Sequence, residues 1–147
     1  MIRQRVIPAL LLENNALVKT INFTKPYYIG DPINTVRIFN ELFVDELMIL
    51  NINLDYQRNS VNLDLLKNIA SECFIPLSYG GGIKSVKEAE IIFRLGFEKI
   101  VVNSFAFLNK GFLEELIKNF GSQSIIHSID IKKNLLNPYS VYIESGT

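Results

Sequence analysis

Short apolar runs alternate with amphipathic stretches along the chain. Runs rich in Ile, Val and Leu predict strands, and apolar residues recur at helical spacing between them. The predicted strands cover residues 5–12, 46–52, 75–79, 99–102 and 124–130, and the predicted helices cover residues 32–42, 63–72, 86–95 and 111–120. Near-continuous apolar strands are typical of a parallel sheet buried on both faces. The pattern therefore predicts an α/β fold, either an open sheet or a barrel.

Polar residues and glycines mark the element ends. Asp31 before Pro32 predicts one helix start, and the Ser85–Glu88 spacing predicts a capping box at another. Residues 16–23 are predicted to be extended, residues 24–30 to be a loop, and residues 140–144 to be a hairpin-like piece. Because no GxGxxG motif follows the first strand, and short βα units recur regularly, the sequence favours a (β/α) barrel over a dinucleotide-binding sheet.

Glycine and short polar residues follow two successive predicted strands. Gly80, Gly81 and Gly82 end one strand, and Asn103 and Ser104 end the next. Glycines let backbone N–H groups approach an anion, and a following helix adds a favourable dipole. These residues predict a phosphate site at neighbouring strand tips. The alternative is that the glycines only make a tight turn.

Period 2 along the strands predicts which side chains share a face. Arg5 and Lys99 point to the barrel axis at the bottom, where Glu46 begins its strand, and Asn103 and Asp130 point inward at the top. A ring of Arg5, Glu46 and Lys99 would be a paired charge cluster. The alternative is a stabilising plug, since the bottom face of a barrel usually carries stability.

Composition excludes several classes of protein. The 147 residues are enough for one domain with a core, and 15 basic residues balance 15 acidic ones, so we expect no nucleic-acid partner. The apolar run after residue 5 is too short for a signal peptide or membrane span. The single Cys73, interpreted as a small buried hydrophobe, fits a reducing cytoplasm. Ligand spacing for a metal is lacking, and we expect no cofactor.

The motifs together resemble one family over nearly the whole chain. They are Arg5, Lys19, Asn22-Phe23, Gly30-Asp31-Pro32, Asp45-Glu46-Leu47, Gly80-Gly81-Gly82-Ile83, Lys99, Asn103, Phe120-Gly121-Ser122-Gln123 and Ile129-Asp130. The chain resembles the cyclase subunit of imidazole glycerol phosphate synthase, the HisF family. The resemblance implies a (β/α)8 barrel that takes ammonia from a glutaminase subunit at its bottom. At its top the barrel acts on a phosphorylated small molecule.

The resemblance also implies roles for single residues. Asp130 matches a catalytic aspartate, and Lys19 matches a lysine of the flexible first loop. Gly81, Gly82, Asn103 and Ser104 match a substrate phosphate site. Arg5, Glu46 and Lys99 match an ammonia gate, and Glu98 and Gln123 would lie on the partner interface.

Three positions depart from the family pattern. The other catalytic aspartate is Leu11, the neighbouring inward cysteine is Ala9, and the aspartate that ends the second strand is Asn51. A complete barrel takes roughly 250 residues, so we expect residues 1–147 to form the N-terminal part of one barrel domain, with strands 1–5.

Three functions stay open at this point. The first is a true cyclase subunit of histidine biosynthesis. The second is a paralogue that keeps the glutaminase dock but delivers ammonia for amidation of a surface-polysaccharide sugar. The third is a non-catalytic truncated scaffold. Leu11 weighs against the first because a leucine cannot transfer a proton.

Overall fold

The fold was analysed in a computed structural model that describes residues 4–21, 24–52, 62–132 and 140–143. The strands are β1 (Ala9–Glu13), β2 (Ala16–Ile21), β3 (Thr24–Gly30), β4 (Leu47–Asn51), β5 (Leu77–Gly80), β6 (Lys99–Val102), β7 (Ile125–His127), β8 (Asp130–Lys132) and β9 (Ser140–Tyr142). The helices are α1 (Pro32–Glu41), α2 (Leu63–Glu72), α3 (Val86–Arg94), α4 (Ser104–Leu108) and α5 (Lys110–Phe120).

Five strands run parallel in the order in which they follow one another along the chain. The order β1-β4-β5-β6-β7 places each strand beside its successor, with helices in the connections. The hairpin β2–β3 extends the sheet at the β1 edge, and β8 and β9 form a separate antiparallel pair. This is the arrangement of about the first half of a (β/α)8 barrel, which confirms the predicted fold class.

The two faces of the parallel sheet differ in their packing. Side chains of one parity, such as Leu10, Ile49, Tyr79 and Ile100, are buried against the helices and form the main core. Register partners in a parallel sheet point to the same face. The opposite parity therefore forms a second face, called here the inner face. Its residues in two successive rungs are Ala9, Met48, Ser78 and Lys99, and then Leu11, Leu50, Gly80, Val101 and Ile126.

Several predicted bounds are wrong. The first strand begins at Ala9 and not at residue 5, because Pro8 has no N–H and Val6 N bonds to the Asp45 side chain instead of to a neighbouring strand. Residues 24–30 are strand β3 and not a loop, because they pair with β2 along one edge of the sheet. Residues 124–130 are not one strand, since β7 ends at His127 and Asp130 belongs to β8. The five-residue helix α4 was not predicted, because a single helical turn shows no periodicity. The helix 63–72 and the strand 99–102 have the predicted bounds.

Candidate functional site

A charge cluster lies on the inner face where the parallel strands begin. The Glu46 side chain accepts a hydrogen bond from the Arg5 guanidinium on one oxygen, and its Oε2 lies 2.5 Å from Lys99 Nζ. Glu46 is 5% exposed, whereas the side chains of Arg5 and Lys99 are 61% and 24% exposed. One buried carboxylate thus bridges two cations, as the sequence predicts.

Backbone pairing fixes this cluster. Val6 N donates to Asp45 Oδ2 at 2.8 Å, and Asp45 N donates to the carbonyl oxygen of Val6 at 3.2 Å. These two bonds hold Arg5 beside Glu46. Lys99 comes from β6, two strands away from β4, so its long side chain must cross the inner face to reach the carboxylate. The cluster therefore ties the segments that lead into β1 and β4 to the first residue of β6.

An apolar rung lies above the charge cluster on the inner face. It is made by Leu11, Leu50, Gly80, Val101 and Ile126. A Cβ at Gly80 would lie 2.8 Å from Val101 Cβ and 2.9 Å from Leu50 Cδ2, so the neighbouring side chains occupy the space that glycine leaves.

Gly81 and Gly82 differ in why a glycine suits their positions. Gly81 has a φ of +109°, and a Cβ there would lie 2.1 Å from the carbonyl oxygen of Asn51, so only glycine fits. Gly82 has a φ of +76°, and a Cβ there would meet nothing within 4 Å. Gly81 therefore serves packing, whereas Gly82 exposes its backbone to open space in which a ligand could sit.

Asn103 follows the neighbouring strand β6, and its side chain contacts Asp130 at the start of β8. Asn103 Nδ2 donates to Asp130 Oδ2 at 3.0 Å, and both residues are half-buried. Ser104 is the first residue of α4. Because β5 and β6 are adjacent, Gly82 and Asn103 follow neighbouring strands, as the sequence predicts.

The N-terminus of α3 is occupied by its own side chains. Ser85 Oγ accepts from Glu88 N at 3.2 Å, and Glu88 Oε2 accepts from Lys84 N at 2.7 Å. The glutamate thus reaches Lys84 rather than Ser85, one residue earlier than in a standard capping box. The Glu88 carboxylate offsets the positive end of the helix dipole, so the dipole attracts a bound anion only weakly. Any phosphate site here depends on the loop glycines and the Asn103 tip.

Several predicted residues lie away from these clusters. Lys19 is exposed on β2, and within the described ranges no hydrogen bond or ion pair joins it to the other candidates. Asn51 pairs in register with Leu12, so its side chain faces the helices and not the inner face. There it neighbours Tyr79. Burial raises the pKa of Tyr79 to about 12, and the Asn51 side chain opposes this shift. Among the described residues, no group lies in position to form a well-aligned hydrogen bond with the buried Tyr79 hydroxyl.

The end of the sheet that carries the charge cluster also carries exposed residues. Glu98 and Gln123, which were predicted to lie on a docking rim, are exposed just before β6 and β7. Phe43 and Phe74 are 88% and 85% exposed just before β4 and β5, and sequence reasoning missed them.

The parts of the chain that the structure describes contain neither a candidate metal site nor a candidate membrane-spanning helix. Within those residues, no group of three His, Cys, Asp or Glu side chains could hold a metal ion. No described helix is long and apolar enough to cross a membrane. Burial raises the pKa of the half-buried Cys73 thiol, which disfavours the reactive thiolate.

Comparison with known proteins adds independent findings. A family described as histidine biosynthesis protein matches residues 5–147. A Pseudomonas aeruginosa protein, provisionally named imidazole glycerol phosphate synthase subunit hisF2, is 47% identical over 147 residues, which are 100% of this chain and 59% of that protein. The imidazole glycerol phosphate synthase subunit HisF of Helicobacter hepaticus is 38% identical over 97% of this chain and 57% of its own length. The chain thus spans less than two thirds of these relatives.

Proposed function

Because the chain belongs to the histidine biosynthesis protein family, among the HisF-like subunits of imidazole glycerol phosphate synthase, we propose that it is the ammonia-receiving half of a barrel that partners a glutamine amidotransferase. The barrel passes ammonia to a phosphorylated acceptor. The observation that carries this proposal is the Glu46 carboxylate, buried between Arg5 and Lys99 at the entrance to the inner face.

The physical reason lies in the cost of burying charge. A plug that only stabilised the sheet could be apolar, and apolar side chains cost less to bury than ions. A cluster of two cations around one carboxylate suits an opening that a polar molecule must pass. Above it, the rung from Leu11 to Ile126 offers no charge to hold ammonium, so the path favours neutral NH3.

The acceptor is proposed to be a sugar of a surface polysaccharide. Leu11 carries this finer step, because it stands on the inner face where cyclases of this family are expected to have a second catalytic aspartate. Leu11 pairs with Leu50 and Val18, and both neighbours are apolar. With Asp130 alone, the ring closure lacks one of its two proton-transfer groups. The second candidate, a true cyclase of histidine biosynthesis, is favoured by Asp130 and its Asn103 partner.

Complementation separates the two acceptors. The full-length gene is expected not to rescue a histidine auxotroph that lacks its cyclase subunit. Deletion of the gene in its own host should remove an amidated sugar from the surface polysaccharide without creating a histidine requirement. Both are read by growth on minimal medium and by mass spectrometry of the purified polysaccharide. Rescue of the auxotroph, with an unchanged polysaccharide in the deletion strain, would favour the cyclase instead.

The phosphate of the acceptor is proposed to bind at Gly81, Gly82, Asn103 and Ser104. The open space beside Gly82 supports this, since a Cβ there would meet nothing within 4 Å. Titration with inorganic phosphate should shift the amide resonances of these residues in NMR spectra of the full-length protein, while Gly111, on α5, stays unchanged as the control. The proposal fails if none of the four amides moves at concentrations that saturate other phosphate sites.

A further inference from the structure

Two phenylalanines stand almost fully in solvent at the edge where the parallel strands begin. Phe43 is 88% exposed and Phe74 is 85% exposed, more than any other large apolar residue that the structure describes. Burying a phenylalanine side chain is worth about 1.5–3 kcal/mol. Two such rings left in water on one edge mark a surface that another molecule covers.

One residue, Asn40, bonds the backbone of both phenylalanines. Asn40, at the end of α1, donates from Nδ2 to the carbonyl oxygen of Glu72 at 2.7 Å and accepts at Oδ1 from Phe74 N at 3.1 Å. Its carbonyl oxygen accepts from Phe43 N at 3.3 Å. The two turns that carry the phenylalanines are therefore tied to one half-buried residue, Phe74 through the Asn40 side chain and Phe43 through the Asn40 backbone. This fixes the two turns relative to each other and lowers the entropy that a partner must remove.

The backbone of Phe43 is in the left-handed region, with a φ of +51°. This conformation costs a residue with a side chain roughly 1–2 kcal/mol, and glycine would adopt it freely. Phe43 gains no burial in the chain to offset that cost, because its side chain is exposed. A strained and exposed phenylalanine is explained by a contact outside the chain.

The surface borders the charge cluster. Phe43 lies two residues before Asp45, whose carboxylate binds Val6 N next to Arg5. Phe74 lies two residues before Pro76, whose carbonyl oxygen accepts from Leu47 N at 2.9 Å, directly after Glu46. A molecule that covers both rings therefore sits over the entrance to the inner face. A partner that must deliver ammonia there fits this position, whereas a second copy of this chain would close it.

We infer that Phe43 and Phe74 are the apolar anchor by which this chain selects its glutaminase partner, an inference that rests on the proposed function. The partner surface it fits is a pair of hollows lined by aliphatic or aromatic side chains, without charge at the centre. Glu98 and Gln123 belong to the polar rim around this anchor. Buried aromatic anchors inside a polar rim usually carry most of the binding energy of an interface.

Calorimetry tests the anchor with full-length protein and the purified glutaminase subunit encoded by the same genome. Phe43→Gly, Phe74→Ser and the double variant are compared with Phe107→Ser, an exposed aromatic change at the opposite end of β6. Each single anchor variant should weaken binding by about tenfold or more, and the double variant by about a hundredfold or more. Phe107→Ser should stay within about twofold of wild type, as expected for a substitution outside the interface.

Thermal unfolding distinguishes an anchor from a structural role. Phe43→Gly relieves the left-handed strain, so its unfolding midpoint should equal or exceed that of wild type while its affinity falls. Equal affinity of wild type and the double variant would overturn the anchor and leave the proposed function standing. So would sedimentation data in which the variants lose self-association and keep glutaminase binding. No glutaminase binding by wild type would overturn the proposed function itself.

Discussion

Leu11→Asp in the full-length protein is expected to raise ammonia-dependent cyclase turnover by about 10²–10⁴-fold over a barely detectable wild-type rate, the usual contribution of one proton-transfer group. Leu11 stands on the inner face, one rung above Ala9, and its register partners are apolar. A carboxylate at this position would stand on the inner face, in the same rung as Leu50 and Val101. The measurement is turnover of the ribonucleotide substrate of the cyclase with saturating ammonium at alkaline pH.

Ala9→Asp is the matched control for this gain. Ala9 is on the same strand and face as Leu11, but one rung nearer the charge cluster. A carboxylate at residue 9 adds the same charge one rung away from the position of the missing aspartate, so turnover should stay at the wild-type rate. Robust turnover by wild type would show that another residue supplies the missing acid. An equal gain in both variants would show that charge alone, and not position, is responsible.

Glu46→Leu is expected to destabilise the full-length protein by about 3–5 kcal/mol, which is the cost of removing one partner of a buried ion pair. Lys99, with a side chain only 24% exposed, would lose its compensating charge, whereas the more exposed Arg5 can turn into water. Part of the cost is therefore relieved, and the lower end of the range is expected. Chemical denaturation followed by circular dichroism measures the change.

The double variant Glu46→Leu with Lys99→Met should recover most of the lost stability. Replacing a buried ion pair by apolar residues of similar volume is often neutral. Because Arg5 remains and is exposed, it needs no partner. Additive losses in the double variant would contradict the direct coupling of Glu46 to Lys99. If stability recovers, the double variant is a folded protein that lacks the charge bridge. It can then be used to test whether the cluster acts as an ammonia gate or only as a stabilising plug.

The alternation of strands and helices made most of the fold predictable, and the exceptions have local causes. The bounds of Lys99–Val102 were predicted because β-branched residues between Gly96 and Asn103 leave one choice. The strand β3 was missed because Lys25 and Pro26 interrupt its apolar pattern, and an edge strand tolerates proline. Its pairing with β2 depends on contacts that no local pattern shows.

The charge cluster was predictable for a similar reason, and the phenylalanine anchor was not. Parity and strand order place Arg5 and Lys99 on one face, so their meeting at Glu46 follows from regular geometry. Phe43 and Phe74 lie in turns, and an apolar residue there is expected to be core. Their exposure depends on where Asn40 ends the helix and how it joins two turns, which is tertiary information.

Ammonia is proposed to enter past Glu46, and isotope competition tests this path most directly. Host extract lacking its own copy of the protein is supplied with the glutaminase subunit, amide-¹⁵N glutamine and excess unlabelled ammonium, and the amidated product is analysed by mass spectrometry. Wild type should give product carrying mainly ¹⁵N. The stable Glu46→Leu, Lys99→Met variant should bind the glutaminase equally well and yet give mainly unlabelled product. If the variant gave the same ¹⁵N fraction in the product as wild type, the gate would be contradicted and the cluster would be a stabilising plug.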